Sequence, residues 1–398
     1  MESDIIHPLK VFDLAKSQGR FLYACAPMVR YSKLAFRQTV YSYGVDLCWT
    51  PMILAREFNR SHFARESDFT ISTAGNQPPT IVQFGASSAQ ELSRASSLVA
   101  PYVGGVDLNC GCPQSWACAE SLGAALMEKR ELVRDMVIET RQRLRQDGWG
   151  VGKEKDMDSP TGRSVSVKIR VHHDLRKTMD FINTVLGPEH DRHIDFLTIH
   201  PRTRSTPSTL PINLEALEIL TSTFGDKVPI LLSGDVFALN ALPFSSPLHP
   251  TAATTQTANI TPDGPNQEPR DPEAETGTKL RNLPKLAGLM SARALLANPA
   301  LFAGHASCSW EAVEMFMANV ARSPLPHKLV VHHLTEMCGP GMGPDKGALL
   351  SRRERVAMGA CTNMCDLVDF LDDKVGVRNG VRGLRRGLIK PSFLDGRI

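Results

Sequence analysis

The chain has 398 residues, 42% of them hydrophobic, and its 45 Lys and Arg against 42 Asp and Glu give a formal net charge of +3. This length and apolar content suit one large α/β domain with a smaller one, whereas so slight a charge excludes any inference of nucleic-acid binding from composition alone. The first ten residues form no secretory signal, and no segment has the roughly eighteen uncharged apolar residues of a membrane span. The nine cysteines are therefore expected to stay reduced, in the cytoplasm or the nucleus.

Eight short apolar segments rich in β-forming residues alternate with longer segments of helical period. One of the helical segments, 131–146, places its apolar positions on a single helix face. Near-continuous apolar strands joined by helical crossovers indicate a parallel sheet covered on both faces, and eight such units predict an α/β fold, a (β/α)8 TIM barrel. The predicted strands are 21–28, 45–52, 79–86, 105–111, 164–171, 195–203, 228–236 and 286–293.

One segment interrupts this pattern, and the pattern stops before the end of the chain. Residues 241–284 contain eight prolines, seven threonines and a single aromatic, Phe244. Such a segment buries too little apolar area to offset its ordering entropy, so we predict a disordered insertion within a barrel domain of residues 1–305. Residues 306–398 predict a small all-helical domain with three helices, at 310–323, 326–339 and 351–376. Its segment 378–390, here called the basic tail, has five basic residues and no acidic one: Arg378, Arg382, Arg385, Arg386 and Lys390.

Polar residues recur at the carboxyl ends of the predicted strands, where the active sites of such barrels lie. A single polar strand end commonly just meets water, but a series around one rim indicates a functional site. In chain order the series comprises Ala26, Pro27, Met28, Thr50, Pro51, Met52, Gln83, Asn109, Cys112, Lys168, Arg170, His200, Arg202, Gly234, Asp235 and Arg293.

Two parts of this series suggest ligand chemistry. Gly234 and Arg293 follow the seventh and eighth strands, where barrels commonly bind a phosphate, although Arg293 could instead cap a surface helix. Lys168 lies in an apolar strand, where an unpaired ammonium is costly. Three roles fit it: a Schiff base with a carbonyl substrate, a donor to the N1/O2 edge of a flavin, or an internal ion pair with Asp107 or Asp195.

The pair Cys110 and Cys112 flanks one glycine at the end of the fourth strand. A disulfide conflicts with the expected reducing compartment, and a zinc site that includes Cys118 would lack a fourth ligand and the usual spacing. No metal site is predicted. Cys361 and Cys365 lie one helical turn apart and are predicted to belong to the core.

The motifs of the chain resemble, in order and spacing, those of the tRNA-dihydrouridine synthases over about residues 20–305. The segments DLNCGCPQ and ARALLANPALFAG most resemble the eukaryotic subfamily that modifies D-loop positions 20a and 20b. The matching motifs are APMV at 26–29, SKLAFR at 32–37, TPMI at 50–53, DLNCGCPQ at 107–114, GAALM at 123–127, VKIR at 167–170, TIHPRTR at 198–204, SGDV at 233–236 and MSARALLANPALFAG at 290–304.

The resemblance implies an enzyme with bound FMN that is reduced by NADPH and in turn reduces the C5–C6 bond of a tRNA uridine. It implies that Cys112 gives the proton to C5, which suits a free thiol with a pKa near ~8.5 because such a thiol is mostly protonated at neutral pH. Cys110 is then a small apolar packing residue. The residues implied to bind FMN are Pro27, Met28, Gln83, Lys168, His200, Ser233, Gly234, Asp235, Ala292 and Arg293, and those implied to bind the substrate are Asn109, Arg170 and Arg202.

Some features depart from the family pattern or leave alternatives open. Pro201, Ser233 and Ala292 replace residues that are usually glycine, asparagine and glycine, and no dinucleotide-binding glycine motif identifies the NADPH site. Two alternatives to a tRNA-dihydrouridine synthase are left open. One is a flavin barrel enzyme that acts on a small pyrimidine or enone, which would not need the basic helical domain. The other is an RNA-binding relative that has lost turnover. The helical domain, its tail and the rim residue Arg204 are predicted to hold tRNA. A monomer without a membrane partner is expected.

Overall fold

The computed structural model of the chain describes residues 5–72, 77–152, 155–248 and 280–378. Eight parallel strands, here called β1 to β8, pair in chain order, and β8 pairs with β1 to close a barrel. Each strand lies within its predicted segment, so the predicted TIM barrel is confirmed. The barrel strands are Leu22–Cys25, Leu47–Trp49, Thr80–Gly85, Gly105–Cys110, Ser164–Arg170, Phe196–His200, Ile230–Ser233 and Gly288–Ser291. A further short strand, Ile53–Leu54, pairs in parallel with the end of β3.

Helices surround the barrel and continue beyond it. The predicted helix at 131–146 is found as Arg130–Gln146, and it buries the face that its periodicity indicated, from Val133 to Leu144. The described helices, α1 to α14, are Pro8–Ser17, Leu34–Tyr41, Ala55–Arg60, His62–Asp68, Ala89–Val99, Ser115–Ala119, Arg130–Gln146, Leu175–Leu186, Leu214–Phe224, Arg293–Ala297, Trp310–Arg322, His327–Met337, Arg352–Gly359 and Met364–Arg378.

The inside of the barrel changes from apolar to polar along the strands. At the amino ends the interior is filled by side chains such as Leu47, Ile81 and Phe196, and α1 closes this end with the ring of Phe12, which lies 5.3 Å from the ring of Phe196 in a tilted arrangement. Toward the carboxyl ends the inward positions are polar and, as in β4, they alternate with positions that pack against the helices. The apolar half supports the fold, and the polar half is available for a site.

The predicted insertion is folded at both of its ends. Phe244–Ser245 pairs in parallel with Arg281–Asn282, and Phe244 and Leu283 are buried in the main core. The low aromatic content of 241–284 did not reveal that its one aromatic residue packs beside Phe21. Residues 249–279 lie outside the described residues, so the prediction of disorder there stays a prediction.

The region after residue 305 has four described helices, α11 to α14, and not the predicted three. The third predicted helix is interrupted at 360–363, where α13 ends and the Asn363 side chain accepts a hydrogen bond from the Asp366 N–H, 3.0 Å away. This is the bond that an N-cap residue makes, so a new helix begins there. Cys361, in this break, is half-buried and packs against the core, whereas Cys365 is exposed, so the prediction that both belong to the core was wrong for Cys365.

These helices and the barrel share one continuous core. The side chain of Asn319 on α11 donates to Thr39 on α2 over 3.0 Å, and His333 on α12 contacts Tyr31 and Phe36 of the barrel. The side chains of the basic tail, from Arg378 to Lys390, lie outside the described residues. Among the described helices, none has the length and apolar character needed to cross a membrane.

Candidate active site

A cleft with a volume of about 250 Å³ opens at the carboxyl ends of the strands, as the fold predicts. Cys112 and every residue predicted to bind FMN or the substrate line it except Met28, whose partly buried side chain packs against the core. Met52, after β2, also lines the cleft, so all eight strand ends contribute to it, seven of them through these predicted residues. These are Pro27, Gln83, Asn109, Cys112, Lys168, Arg170, His200, Arg202, Ser233, Gly234, Asp235, Ala292 and Arg293.

A chain of short hydrogen bonds crosses the cleft floor from β5 to the loop after β4. Asp107 accepts from Ser166 Oγ and from Gln83 Nε2, both at 2.7 Å. The amide oxygen of Gln83 then accepts from Asn109 Nδ2, also at 2.7 Å. Finally, Asn109 Oδ1 accepts from the N–H of Cys112 at 2.8 Å, so this chain of bonds ends at the proposed acid.

Cys112 is fixed from two sides while its thiol remains half-buried at the cleft. Its N–H is held by Asn109, and its carbonyl accepts from the N–H of Ala124 at 2.8 Å. Gly123 beneath it has φ +60°, and a Cβ there would lie 2.5 Å from the Cys112 carbonyl oxygen. Burial raises the pKa of the Cys112 thiol, so the thiol is protonated at neutral pH. Cys110 is fully buried in the core, which confirms its packing role.

Lys168 is buried at the cleft without a carboxylate partner. No described carboxylate forms an ion pair with it, because Asp107 accepts from Gln83 and Ser166, and Asp195 pairs with Arg141 at 3.0 Å. Burial lowers the pKa of Lys168 to about 8, while the charge of Asp107 opposes this shift. The ion-pair alternative is therefore not what the structure contains, and the ammonium is free to meet a ligand.

His200 is held neutral by its neighbours. Burial and the cations around it lower its pKa to about 2. The guanidinium of Arg202 lies 3.1 Å from Nε2 of His200, and since arginine can only donate, Nε2 must accept. Arg202 is itself buried, and it also pairs with Asp235 at 2.6 Å. Through these contacts Arg202 and Asp235 position His200 and the adjoining loops. The binding of FMN by Asp235 and of the substrate by Arg202 stays a prediction.

Arg170 links the loops that follow β4 and β6. Its Nε donates to the carbonyl of Gly111 at 2.8 Å, and its Nη1 donates to the carbonyl of Thr203 at 2.7 Å. Because Gly111 directly precedes Cys112, this link also fixes the position of the thiol.

The loops after β7 and β8 form the other end of the cleft. Gly234 has φ +113°, and a Cβ there would lie 2.9 Å from the His200 ring, so only glycine fits. Asp235 also has a positive φ, 54°. Arg293 is the exposed first residue of α10, and the cap position belongs to Ala292, so Arg293 does not cap this helix. Arg293 lines the cleft and contributes a positive charge to it, as a phosphate site requires.

Several residues of the site were missed from the sequence. Asp107 and Ser166 carry the hydrogen-bond chain, yet Asp107 was considered only as an ion-pair partner. Both lie two residues before a predicted site residue on the same strand. Because alternate side chains of a strand point to the same face, this spacing could have identified them. Ser208 and Phe237 also line the cleft, but they lie in loops, where no periodicity predicts side-chain direction.

The fold and the cleft define a TIM-barrel enzyme with its active site at the carboxyl ends of the strands. The sequence profile of the family described as dihydrouridine synthase (Dus) matches residues 24–245. This chain belongs to that family, so the resemblance seen in its motifs is confirmed.

Curated relatives match most of the chain. It is 33% identical over 374 residues to a Homo sapiens protein named as tRNA-dihydrouridine(20a/20b) synthase-like, with coverage of 93% of this chain and 95% of that protein. It is 32% identical over 380 residues to the Schizosaccharomyces pombe tRNA-dihydrouridine(20a/20b) synthase, covering 95% of each. The corresponding Saccharomyces cerevisiae enzyme is 34% identical over 335 residues, covering 84% of this chain and 76% of that one. These names all specify NAD(P)+ as the nicotinamide cofactor.

Proposed function

We propose that this enzyme reduces the C5–C6 bond of a uridine at position 20a or 20b of the tRNA D-loop, with bound FMN and with NADPH as reductant. The names of the relatives support the substrate and the nicotinamide cofactor. The observation that carries the chemistry is the protonated thiol of Cys112 in the same cleft as the unpaired ammonium of Lys168.

The residues of the cleft fit FMN. Lys168 would hold the N1/O2 edge of the flavin, and neutral His200 and Gln83 would pack along the ring. Arg293 would bind the phosphate beside the backbone of Gly234, where a side chain would collide with His200. When bound, FMN supplies the hydride that C6 of the uracil receives.

Cys112 supplies the proton in this proposal. Its Sγ–H donates to C5 from the face of the uracil opposite the hydride, and the thiolate is then reprotonated from water. A raised pKa favours this role because an acid must hold its proton until the reaction, whereas a nucleophilic cysteine must already be ionised. Asn109 fixes the Cys112 backbone, and its second Nδ2–H is left to bind a uracil oxygen.

The test uses cells that lack the protein. Their tRNA should lose dihydrouridine at 20a or 20b, measured by mass spectrometry of tRNA fragments, and the intact gene should restore it. Cys112→Ala should keep the yellow flavin but lower turnover by roughly 100-fold or more, because general-acid catalysis contributes about that factor.

The matched control is Cys118→Ala, which removes a second half-buried thiol whose Sγ lies 3.8 Å from the Cys112 carbonyl. It should retain activity. Full rescue by Cys112→Ala would refute the assigned acid, and a protein that cannot be reconstituted with FMN would refute the flavin mechanism. Activity on free uracil but not on tRNA would favour the alternative of a small-pyrimidine reductase. A monomer located in the cytoplasm or the nucleus remains a prediction.

A further inference from the structure

A second cavity opens beside the catalytic cleft, and the proposed chemistry does not use it. Its volume is about 380 Å³, within the range of about 300–1,000 Å³ that is typical of small-ligand sites. Arg170 lines both cavities, and Ala124 and Met127 of the second one belong to the short 3-10 helix, Gly123–Glu128, that supports Cys112. The second cavity therefore adjoins the cleft on the side of the proposed acid.

Two exposed cations line this second cavity and have no partner in the described part of the chain. Lys177 lies in the first turn of α8 and Arg204 lies in the loop after β6. Neither side chain forms a hydrogen bond or an ion pair with any described residue. Binding a phosphate would therefore break no existing contact of either cation.

One of the two carboxylates of the second cavity is already paired. Asp174 binds the guanidinium of Arg176 through both oxygens, each at 3.1 Å. The other carboxylate, the exposed Glu128, lies 3.7 Å from His172 Nε2, which forms an ion pair with it only when the histidine is protonated. Because Arg170, Lys177 and Arg204 outnumber this one remaining carboxylate, the net charge facing the cavity is positive.

We propose that the second cavity binds the phosphodiester of the nucleotide that flanks the target uridine, with Arg204 and Lys177 as the phosphate ligands. This inference rests on the proposed function, because a uracil beside Cys112 is still attached to the RNA backbone, which must leave the cleft over its rim. Extruding a base from a folded loop costs about a few kcal/mol, and contacts to adjacent phosphates offset that cost. Arg204 and Lys177 line the cavity that shares Arg170 with the cleft, so they are placed to make such contacts.

The experiment compares Lys177→Gln and Arg204→Gln with the control Arg145→Gln. Arg145 is exposed in the last turn of α7, at the opposite end of the barrel, so this variant removes the same charge far from the cleft. Affinity for unmodified tRNA is measured at several salt concentrations. Each of the two cavity variants should reduce the slope of log K against log salt by about 0.7–0.9, and the control should not change it.

Flavin reduction by NADPH without tRNA is measured for the same variants and should be unchanged. A cavity that served the phosphates of the nicotinamide dinucleotide would instead slow this reduction and leave the tRNA salt slope intact, which would overturn the proposal. A slope equal to that of the control would also overturn it. If the wild-type protein binds tRNA but forms no dihydrouridine, the proposed function fails, whereas a reduced slope in the variants would still assign the second cavity to RNA.

Discussion

At the scale of single residues, the donor and acceptor directions of the hydrogen-bond chain across the cleft floor are fixed at both ends of the chain. Ionised Asp107 can only accept hydrogen bonds, so Gln83 must turn its NH2 group toward Asp107 and its carbonyl toward Asn109. At the other end, the N–H of Cys112 requires the carbonyl oxygen of Asn109. The two requirements agree, and they leave one spare N–H on each amide as a donor, which suits the proposed roles of Gln83 at the flavin and of Asn109 at a uracil oxygen.

We predict that Asp107→Asn lowers turnover by roughly 10-fold, because an asparagine can donate as well as accept and so no longer fixes the Gln83 amide. The negative charge of Asp107 also raises the pKa of Lys168, which is about 8. Loss of Lys168 protonation should cause activity to fall above that pH. In Asp107→Asn the alkaline limb of the pH–rate profile should therefore move to lower pH.

The control for this prediction is Asp195→Asn, which changes an equally buried carboxylate that pairs with Arg141 at the start of β6, away from the cleft. This variant is expected to lose stability but to keep the alkaline limb in place. If both variants leave the limb unchanged, Asp107 has only a structural role.

The sequence predicted the site better than it predicted the interactions within the site. Cys112, Lys168 and His200 were found because polar residues at the carboxyl ends of barrel strands converge on one rim. The pairing of Arg202 with Asp235 was not foreseen, because it joins the loop after β6 to the loop after β7, whose conformation depends on positive φ values at Gly234 and Asp235 and on the missing side chain at Gly234. Periodicity contains no information about such loops.

At the scale of elements, the 3-10 helix Gly123–Glu128 forms the support for the proposed acid. Gly123 contacts the Cys112 backbone so closely that no side chain fits there, and its φ of +60° is itself unfavourable for other residues. We predict that Gly123→Ala displaces Cys112 and lowers dihydrouridine formation by at least 10-fold while flavin binding persists. Steady-state turnover and the flavin absorption spectrum check this.

Gly19→Ala is the matched control for the backbone strain alone. Gly19 has a similar φ, +67°, but a Cβ there meets nothing within 4 Å. Both variants should lose about 1–2 kcal/mol of stability from the left-handed conformation, but only Gly123→Ala should lose activity. Equal activity in the two variants would show that Cys112 tolerates displacement.

Sequence periodicity predicted elements well wherever one face is buried against the barrel, as for α7. It failed at 360–363, because the apolar pattern continues through the break and only the capping bond of Asn363 separates α13 from α14. Local side-chain bonds of this kind compete with helix continuation and are weak signals in a sequence.

At the scale of the whole molecule, His333 joins the C-terminal helices to the barrel. Its buried ring lies 4.8–5.2 Å from the rings of Tyr31, Phe36 and Phe316, which belong to the loop after β1, to α2 and to α11. Burial lowers the pKa of His333 to about 3. The folded protein therefore keeps this histidine neutral above about pH 3, and this makes the stability of the junction sensitive to acid.

The direction of the pH effect follows from the two pKa values. The pKa of histidine in an unfolded chain is about 6.5. As pH falls below that value, His333 binds a proton in the unfolded chain but not in the folded protein. Above about pH 6.5, His333 does not lower the free energy of unfolding. As pH falls from there toward the folded pKa, the free energy of unfolding decreases, by about 2 kcal/mol at pH 5. His200, with a pKa of about 2, should act in the same direction.

We predict that His333→Phe, which keeps an aromatic ring in the cluster, reduces the loss of unfolding free energy between pH 7 and pH 5 by about 2 kcal/mol relative to wild type. Urea unfolding at the two pH values measures this loss, and the comparison between pH values cancels any change in packing that phenylalanine introduces. His332→Gln removes an exposed imidazole from the same helix and should leave the loss unchanged. If His333→Phe loses as much stability as wild type, His333 is protonated in the folded state, and the junction between barrel and helices is more open to water than its packing implies.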